Sequence, residues 1–489
     1  MITTKSTSPV EELSSLKAPL PGTSLTPEQQ EVHDQLLNFL TTKTPDIPAA
    51  VFKGYAGVGK SWTLTALVSS YQQKNDNDDI FGSGGNIIMT APTHKAVKVL
   101  KKNPIPGVDY RTIHSALSLT ETVNEATGEV SYTAPKKLME PPPIESASVL
   151  IVDEVSMLSS DIFKLLVPYI KKGLKVLFTG DPAQIPPVKE KDCIPFMHGK
   201  DWNMMECELT KVMRQKDGNP ILEFATAIRS DYKTGSFEPK EHMLDNGEGI
   251  KLVKFNSAEE KALLHQLFTD ERFKQDSDFM KVIAWRNATV DKYNDMIRRM
   301  IYASHLRYEE DVLPEIMPNE KLIMDKPFSI NNRAVLSTND EIEVVSLKED
   351  RSVFTYYDVM GQQETVSIKL YQATVKFFYK DRERVEIIPI VHEDSKADFH
   401  GMLEALKKIA LNSAHERRGN AWRQYFKIKE RVAYVKYNYA ITGHKSQGSS
   451  YDYAMVLKWD IDYNKNIEER NRILYVACTR AKNTLFIES

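Results

Sequence analysis

One octapeptide restricts this chain more than any other feature. Gly54-Tyr55-Ala56-Gly57-Val58-Gly59-Lys60-Ser61 fits the phosphate-loop pattern G-x-x-x-x-G-K-S. The apolar run Ala49-Ala50-Val51-Phe52 leads into it, and a helical stretch from Trp62 to Gln72 follows. Strand, glycine loop and helix in that order make a phosphate cradle. The glycines let successive backbone N–H groups turn inward at the positive end of the helix dipole. Lys60 would reach the outer phosphates of a nucleoside triphosphate, and Ser61 would ligate Mg²⁺. Gly54, Gly57, Val58, Gly59, Lys60, Ser61 and Trp62 are therefore the residues expected around the phosphates.

A phosphate cradle that hydrolyses its nucleotide needs carboxylates. Val149-Leu150-Ile151-Val152-Asp153-Glu154 supplies an apolar strand ending in two of them. Asp153 would stand beside the metal, and Glu154 would accept the proton of the attacking water. A further strand ends in Thr179-Gly180-Asp181-Pro182-Ala183-Gln184, where Gln184 is suited to sense the γ-phosphate or position water. Charge developing in the transition state calls for arginine from another domain. Arg214 and Arg480 are candidates, although spacing alone does not select them from the other arginines.

Apolar strands alternating with helices, including Asn86-Ile87-Ile88-Met89, Val176-Leu177-Phe178 and a helix over His94 to Lys101, predict an α/β fold with parallel sheets covered on both faces. At 489 residues the chain is too long for one core. Two segments break the rhythm. Leu119 to Pro135 reads as an inserted β-hairpin with a polar tip, Ala126-Thr127-Gly128-Glu129, and Tyr132 as its nearest aromatic. From Asp340 to about His392 the β-formers Glu341–Val345, Val353–Val359, Thr365–Lys380 and Val385–Val391 alternate with turns, which predicts a small antiparallel barrel. Asp394 to Arg431 is charged and helical, and the α/β pattern returns at Val432.

Composition excludes some classes and is neutral on others. No run of about 20 apolar residues is present, so no membrane span is expected. Residues 1–24 are rich in Ser, Thr, Pro and Glu and lack the basic start and apolar middle of a secretion signal, so a disordered tail and a cytoplasmic protein are expected. Three widely spaced cysteines, Cys193, Cys207 and Cys478, fit a reducing compartment. The net charge of −3 gives no general attraction to nucleic acid, so any such binding must come from a local groove.

Taken together these blocks resemble superfamily 1 helicases, and within them the RecD-like branch. Leu25-Thr26-Pro27-Glu28-Gln29 resembles the adenine-reading glutamine motif. Thr90-Ala91-Pro92-Thr93-His94-Lys95-Ala96 resembles motif Ia, and Arg111-Thr112-Ile113-His114-Ser115 motif Ib. Asp153-Glu154 falls in motif II and Gly180–Gln184 in motif III. Leu209-Thr210-Lys211-Val212-Met213-Arg214 resembles motif IV, Thr442-Gly443-His444-Lys445-Ser446-Gln447-Gly448 motif V, and Tyr475–Ala481 motif VI.

The resemblance implies an ATP-dependent DNA helicase with two RecA-like domains. It adds Gln29 and Gly448 to the nucleotide site and makes Arg214 and Arg480 fingers from the second domain. Single-stranded DNA would cross both domains at Pro92, Thr93, His94, Lys95, Thr112, His114, His444 and Lys445, where hydroxyls and cations meet phosphates. Trp285 and Trp422 are candidates for stacking on bases. The implied domains are a first RecA-like domain over 25–200 with a strand-separating pin at 118–146, and a second over 201–335 and 433–489. The second is interrupted by an insert over 336–432, with an SH3-like barrel at 340–392 and a helical arm at 394–432. Polarity would be 5′ to 3′, with ATP and Mg²⁺ as cofactors, DNA forks and a single-strand-binding protein as partners, and a monomer as the working unit. A phage source, and hence a host cytoplasm, is plausible by the same route. A nucleotide switch, a helicase–nuclease and a clamp with an inactive ATP site are the competing readings, and no residue separates DNA from RNA.

Overall fold

The computed structural model describes residues 25–42, 47–55, 57–78, 86–123, 130–133, 140–187, 190–197, 199, 201–211, 218–303, 313–330, 333–358, 360–379 and 382–488. The first sheet has six strands. Their order across it is Val108–Thr112, Ile87–Ala91, Val149–Val152, Lys175–Gly180, Ala49–Gly54 and Met205–Leu209, and every pairing is parallel.

The apolar runs are continuous because both faces of this sheet are covered. Ala49, Val51, Leu150, Val152, Val176 and Phe178 pack against Ile162, Phe163 and Leu166 of the helix Ser160–Lys171. The alternate residues Ala50, Phe52, Val149, Ile151 and Leu177 face the other way. They meet the helices Pro27–Thr41 and Lys60–Asp78 through Leu36, Phe39, Leu64 and Leu67. Each of the Val, Leu, Ile and Phe side chains among these contributes roughly 1.5–3 kcal/mol when fully buried. Thr26 caps the helix Pro27–Thr41 in a reciprocal box with Gln29, and Pro27 stands at its first position.

The second sheet also has six strands, ordered Ala440–Thr442, Met280–Ala284, Tyr451–Leu457, Ala481–Glu488, Gly249–Val253 and His242–Met243. Only the last, two-residue strand pairs antiparallel. The same alternation divides its core, with Ile283, Val456 and Ile487 on one face and Val282, Met455 and Phe486 on the other.

A third, antiparallel sheet runs Arg382–Val391, Gln363–Tyr379, Glu341–Tyr357, Lys321–Met324 and Val435–Tyr437. An isolated bridge joins Ile390 to Ala433, and the Ala433 N–H donates to the Pro389 carbonyl at 2.7 Å, which links its two ends. The helices Lys396–Asn412 and His415–Lys429 lie on the far part of the long ribbon. There Phe399, Met402, Leu406 and Ile428 cover Phe354, Ile368 and Leu370. Thr120–Val123 and Val130–Thr133 pair antiparallel, while the tip residues 124–129 lie outside the described residues.

The architecture departs from the expected boundaries in three places. Met205–Leu209 pairs with Ala49–Gly54, so the first sheet extends past residue 200. Lys321–Met324 and Val435–Tyr437 belong to the third sheet, which is therefore wider than 336–432. Where two strands were expected at Glu341–Val345 and Val353–Val359, one strand of 17 residues runs over Glu341–Tyr357, with an irregularity between Val344 and Ser346, and Val359 lies outside the described residues. Its middle, Ser346 to Ser352, is polar and reads locally as a turn. Cross-strand hydrogen bonds to Lys369–Thr374 carry it through as strand.

Candidate nucleotide and nucleic-acid site

The parallel sheet sets the site by where its strands stop. Ala49–Gly54, Ile87–Ala91, Val108–Thr112, Val149–Val152 and Lys175–Gly180 end at one edge, followed by Tyr55, Pro92, Ile113, Asp153 and Asp181. In open α/β sheets this carboxyl edge is where ligands bind. Gly57 and Gly59 have φ of 85° and 88°, which an L side chain rarely adopts. A Cβ on Gly54 would stand 2.7 Å from Lys60 Cγ, and one on Gly59 2.4 Å from Gln29 Nε2. The Lys60 ammonium donates to the Gly54 carbonyl. Gln29 is buried and braces the loop: its Nε2 donates to the Val58 carbonyl at 3.2 Å while its Oε1 accepts from the Thr26 N–H at 3.1 Å.

The acidic groups lie beside this cradle. The Asp153 N–H donates to the Thr90 carbonyl at 2.8 Å, which fixes the strand end. Removal from water and the neighbouring Glu154 charge push the Asp153 carboxyl up to about 7, against the pull of Lys60. Glu154 sits in the left-handed region at φ 50°, ψ 42°, and among the described residues its buried Oε2 has no hydrogen-bond partner. A non-glycine residue held there signals a backbone shaped for a purpose. Asp181 is fully buried and raised by desolvation, with Lys60 and a hydrogen bond from Tyr475 opposing.

Hard oxygen donors fit Mg²⁺, which keeps several waters and takes one or two protein ligands plus phosphates. Ser61 and Asp153 provide a hydroxyl and a carboxylate. Two adjacent acids, one raised to about 7 and one with an orphaned oxygen, are the arrangement a divalent cation would relieve.

The second unit closes over this edge. The Tyr475 hydroxyl donates to Asp181 Oδ2 at 2.6 Å, and Gln447 Nε2 donates to the Ile185 carbonyl at 3.0 Å. Arg472 donates to the carbonyls of Pro182 and Gln184. The Arg229 guanidinium lies 3.7 Å from the centre of the Tyr55 ring, and desolvation with a hydrogen bond to Glu208 pushes the Tyr55 phenol up to about 12. A Cβ on Gly448, at φ 69°, would be 3.4 Å from Ala96 Cβ. Gln184 Oε1 accepts from the Ser156 hydroxyl at 3.4 Å. Arg480 is buried and donates to the Val476 and Ser449 carbonyls and to Thr479 Oγ1, each at 2.9 Å. Arg214 lies outside the described residues. Trp62 is half-buried in the first turn of its helix.

The strand-tracking candidates repeat one local design. Thr93, Thr112 and Thr442 each end a strand or its following bend and cap a short helix with the side-chain hydroxyl. His94, His114 and His444 follow within two residues. Desolvation, helped by the nearby His94 charge, lowers the His114 pKa, and desolvation lowers that of His444. His114 meets the exposed Tyr132 ring edge-on at 4.9 Å. Lys95 is more committed than its motif suggests. It pairs with Asp278 of the second unit at 3.0 Å and lies 5.0 Å from the Tyr451 ring centre. Desolvation works against its charge, but Tyr451 and Asp278 more than offset it and raise the Lys95 pKa. Lys445 is exposed, with Asp325 4.0 Å away. Trp285 is half-buried, and its backbone N–H donates to Asp460.

Trp422 corrects the sequence reading. It is 3% exposed and packs on Tyr425 and Phe426 at 5.5 and 6.0 Å, so no face is presented to a base. Its basic neighbours Arg423 and Lys427 are exposed. Trp422→Ala should cost about 3–5 kcal/mol of stability, as for large buried aromatics. Single-strand affinity of the folded fraction should be unchanged. Thermal melting and fluorescence anisotropy separate the two effects, and an affinity loss at constant melting temperature would restore the stacking role.

Comparison with known proteins bears on this geometry. A family model described as an AAA domain matches residues 24–248, and one described as a UvrD-like helicase C-terminal domain matches 437–487. The chain is 28% identical over 443 residues to the ATP-dependent DNA helicase dda of Enterobacteria phage T4, covering 88% of this chain and 92% of that protein. It is 29% identical over 204 residues, 42% of this chain and 24% of the relative, to the ATP-dependent RecD2 DNA helicase of Deinococcus radiodurans. The crystal structure of Pif1 helicase from Candida albicans aligns over 95% of this chain and 94% of its own, at 15% identity and a TM-score of 0.46. The chain is a superfamily 1 helicase of the Pif1/RecD-like type.

In this helicase several inter-unit residues were invisible to motif reading. Arg229 and Arg472 lie in helices that look like ordinary amphipathic ones, and Arg472 is one of several charged residues in Glu468-Glu469-Arg470-Asn471-Arg472. Its burial at 6% is the property that marks it, and burial of one arginine among neighbours is not written in local sequence.

Proposed function

We propose that this chain uses ATP hydrolysis to move along single-stranded DNA in the 5′ to 3′ direction and separate the strands of a duplex. One observation carries the reading. The phosphate loop, Asp153, Glu154 and the Gln184 loop share one sheet edge, and the second unit bonds directly to the Gln184 loop. A hydrolytic site sealed by a second α/β unit converts nucleotide state into relative movement of two bodies.

Lys60 and the loop N–H groups hold the β- and γ-phosphates. A bound Mg²⁺ at Ser61 and Asp153 supplies charge neutralisation on the phosphates. Glu154 takes the proton of the water whose oxygen attacks phosphorus, and Gln184 orients that water. Arg480 and Arg214 answer the charge on the transferred group. To do so Arg480 exchanges its carbonyl partners for phosphate oxygens as the units close. Gln29 and Gly448 border the nucleotide from the two sides.

The strand passes over Pro92, Thr93, His94, Thr112, His114, His444, Lys445 and Trp285. The paired strands at 120–123 and 130–133 serve as the pin, with Tyr132 resting on the His114 ring, and the third sheet serves as an SH3-like barrel braced by its helical arm. The working unit is a monomer in the cytoplasm, or the host cytoplasm for a phage protein, and replication or recombination proteins such as a single-strand-binding protein are its natural partners at a fork.

Two duplexes test the reading, one with only a 5′ single-stranded tail and one with only a 3′ tail. ATP-driven separation of the 5′-tailed substrate alone is the expected result. Separation from the 3′ tail alone would overturn the polarity. ATP consumption without separation from either would make the protein a translocase or a switch.

A further inference from the structure

The loop that carries Gln184 grows from the first sheet, yet the second unit holds it at four positions. Asp181 is bonded by Tyr475, Pro182 and Gln184 by Arg472, and Ile185 by Gln447. The first unit contributes turn bonds, from the Ala183 and Gln184 N–H groups to Asp181, and the 3.4 Å contact from Ser156.

Arg472 is the centre of this grip. Nη1 donates to the Pro182 carbonyl at 2.8 Å and to the Gln184 carbonyl at 2.7 Å. Nε and Nη2 donate to Glu468 Oε1 at 3.1 and 2.9 Å, and Nη2 also donates to the Tyr232 hydroxyl at 3.3 Å. The guanidinium lies 4.4 Å from the Tyr232 ring centre. All five N–H groups of the fork are thereby used, three toward its own unit and two across the boundary. Asn471 in turn fixes the Tyr232 segment, donating to the Tyr232 and Gly235 carbonyls at 3.0 and 2.8 Å. A rigid planar fork anchored on one body and bonded to the backbone on either side of Ala183 transmits displacement rather than absorbing it.

We propose that Arg472 is the positioning residue that sets Gln184 according to where the second unit stands. Movement of the second unit on the DNA strand then moves Gln184 relative to the attacking water, so DNA occupancy governs turnover. This rests on the ATP-driven reading above and names the part that links its two sites. The donors of Arg472 are all taken by protein groups, so it acts through the backbone of Gln184.

Arg472→Lys keeps the charge but cannot span Glu468, Tyr232 and two carbonyls at once. In the full-length chain with oligothymidine, its DNA-stimulated kcat should fall about 100-fold, the usual cost of misplacing a catalytic group by an ångström. KM for ATP should stay within about twofold, since ground-state binding is untouched. Gln184→Ala should lower the same kcat, and the double variant should be no slower than Gln184→Ala alone. Additive losses, or a wild-type kcat in Arg472→Lys, would overturn the proposal. Wild-type protein lacking DNA-stimulated hydrolysis would instead remove the functional reading, and this one with it. Should Arg472→Lys fail to fold, Glu468→Gln loosens the same guanidinium at a partner that is 39% exposed. It should then show a smaller drop of the same kind in kcat alone, and an unchanged kcat there would equally overturn the role.

Discussion

Lys60→Ala should lower ATP turnover by at least about 100-fold, the scale seen when one preorganised donor to a developing anion is removed. Two effects act in the same direction. The ammonium that offsets phosphate charge is gone, and so is the cation that holds two buried acids down. Lys60 opposes the upward shift of both Asp153 and Asp181. Without it both carboxyls move further up, so at neutral pH Asp153 carries a larger proton fraction and is a poorer metal ligand. The fold should survive, because the Lys60 bond is local to Gly54 and the apolar layers on both sheet faces are untouched. Single-strand binding should survive too, since Thr93, Thr112 and Lys445 are placed by other strand ends. Steady-state hydrolysis with oligothymidine, anisotropy of a labelled strand and thermal melting measure the three. Loss of cooperative melting together with strand binding would mean that the loop holds the first unit together.

The loop and strand ends of the proposed nucleotide site were legible because their geometry is local. A glycine loop needs positive φ at Gly57 and Gly59, and an apolar strand must end where its carboxylates are wanted, so position in the chain reports position in space. The alternation of Ala49, Val51 against Ala50, Phe52 across two covered faces was likewise implied by unbroken apolar runs. The rest is relational. Arg472, Tyr475 and Gln447 matter because of what lies across from them, between 262 and 294 residues away in sequence. Lys95 illustrates the converse. Its motif marks it for a strand, while Asp278, from another α/β unit, engages its ammonium. Trp422 failed for a related reason: its neighbours Arg423 and Lys427 are exposed while its own ring is buried, and adjacency in sequence says nothing of burial. The two strands expected within Glu341–Tyr357 merged because pairing partners, not local propensity, decide where a ribbon ends.

Glu154→Gln should separate binding from chemistry. The amide is close in size and keeps the backbone at φ 50°, so the turn into Val155–Met157 is retained. It cannot take a proton from water, so kcat should fall by about 100- to 10,000-fold, the range for a lost general base. The effect on the ground state has the opposite sign. Desolvation and the Glu154 charge together raise Asp153 to about 7; with the charge removed, desolvation still raises the Asp153 carboxyl but Lys60 opposes it with less to overcome, so the carboxyl comes part of the way back down. At neutral pH Asp153 is then more fully ionised and a better oxygen ligand for Mg²⁺. The variant should therefore bind Mg²⁺ and ATP at least as tightly as the wild type while hydrolysing it poorly, and the gain in binding should fade above about pH 8, where Asp153 is ionised in both proteins. Nucleotide titration at several pH values and single-turnover hydrolysis test the two halves separately. A kcat near wild type would remove Glu154 as the base. Weaker binding at every pH would mean that its carboxylate, rather than Asp153 alone, belongs to the metal's ligand set.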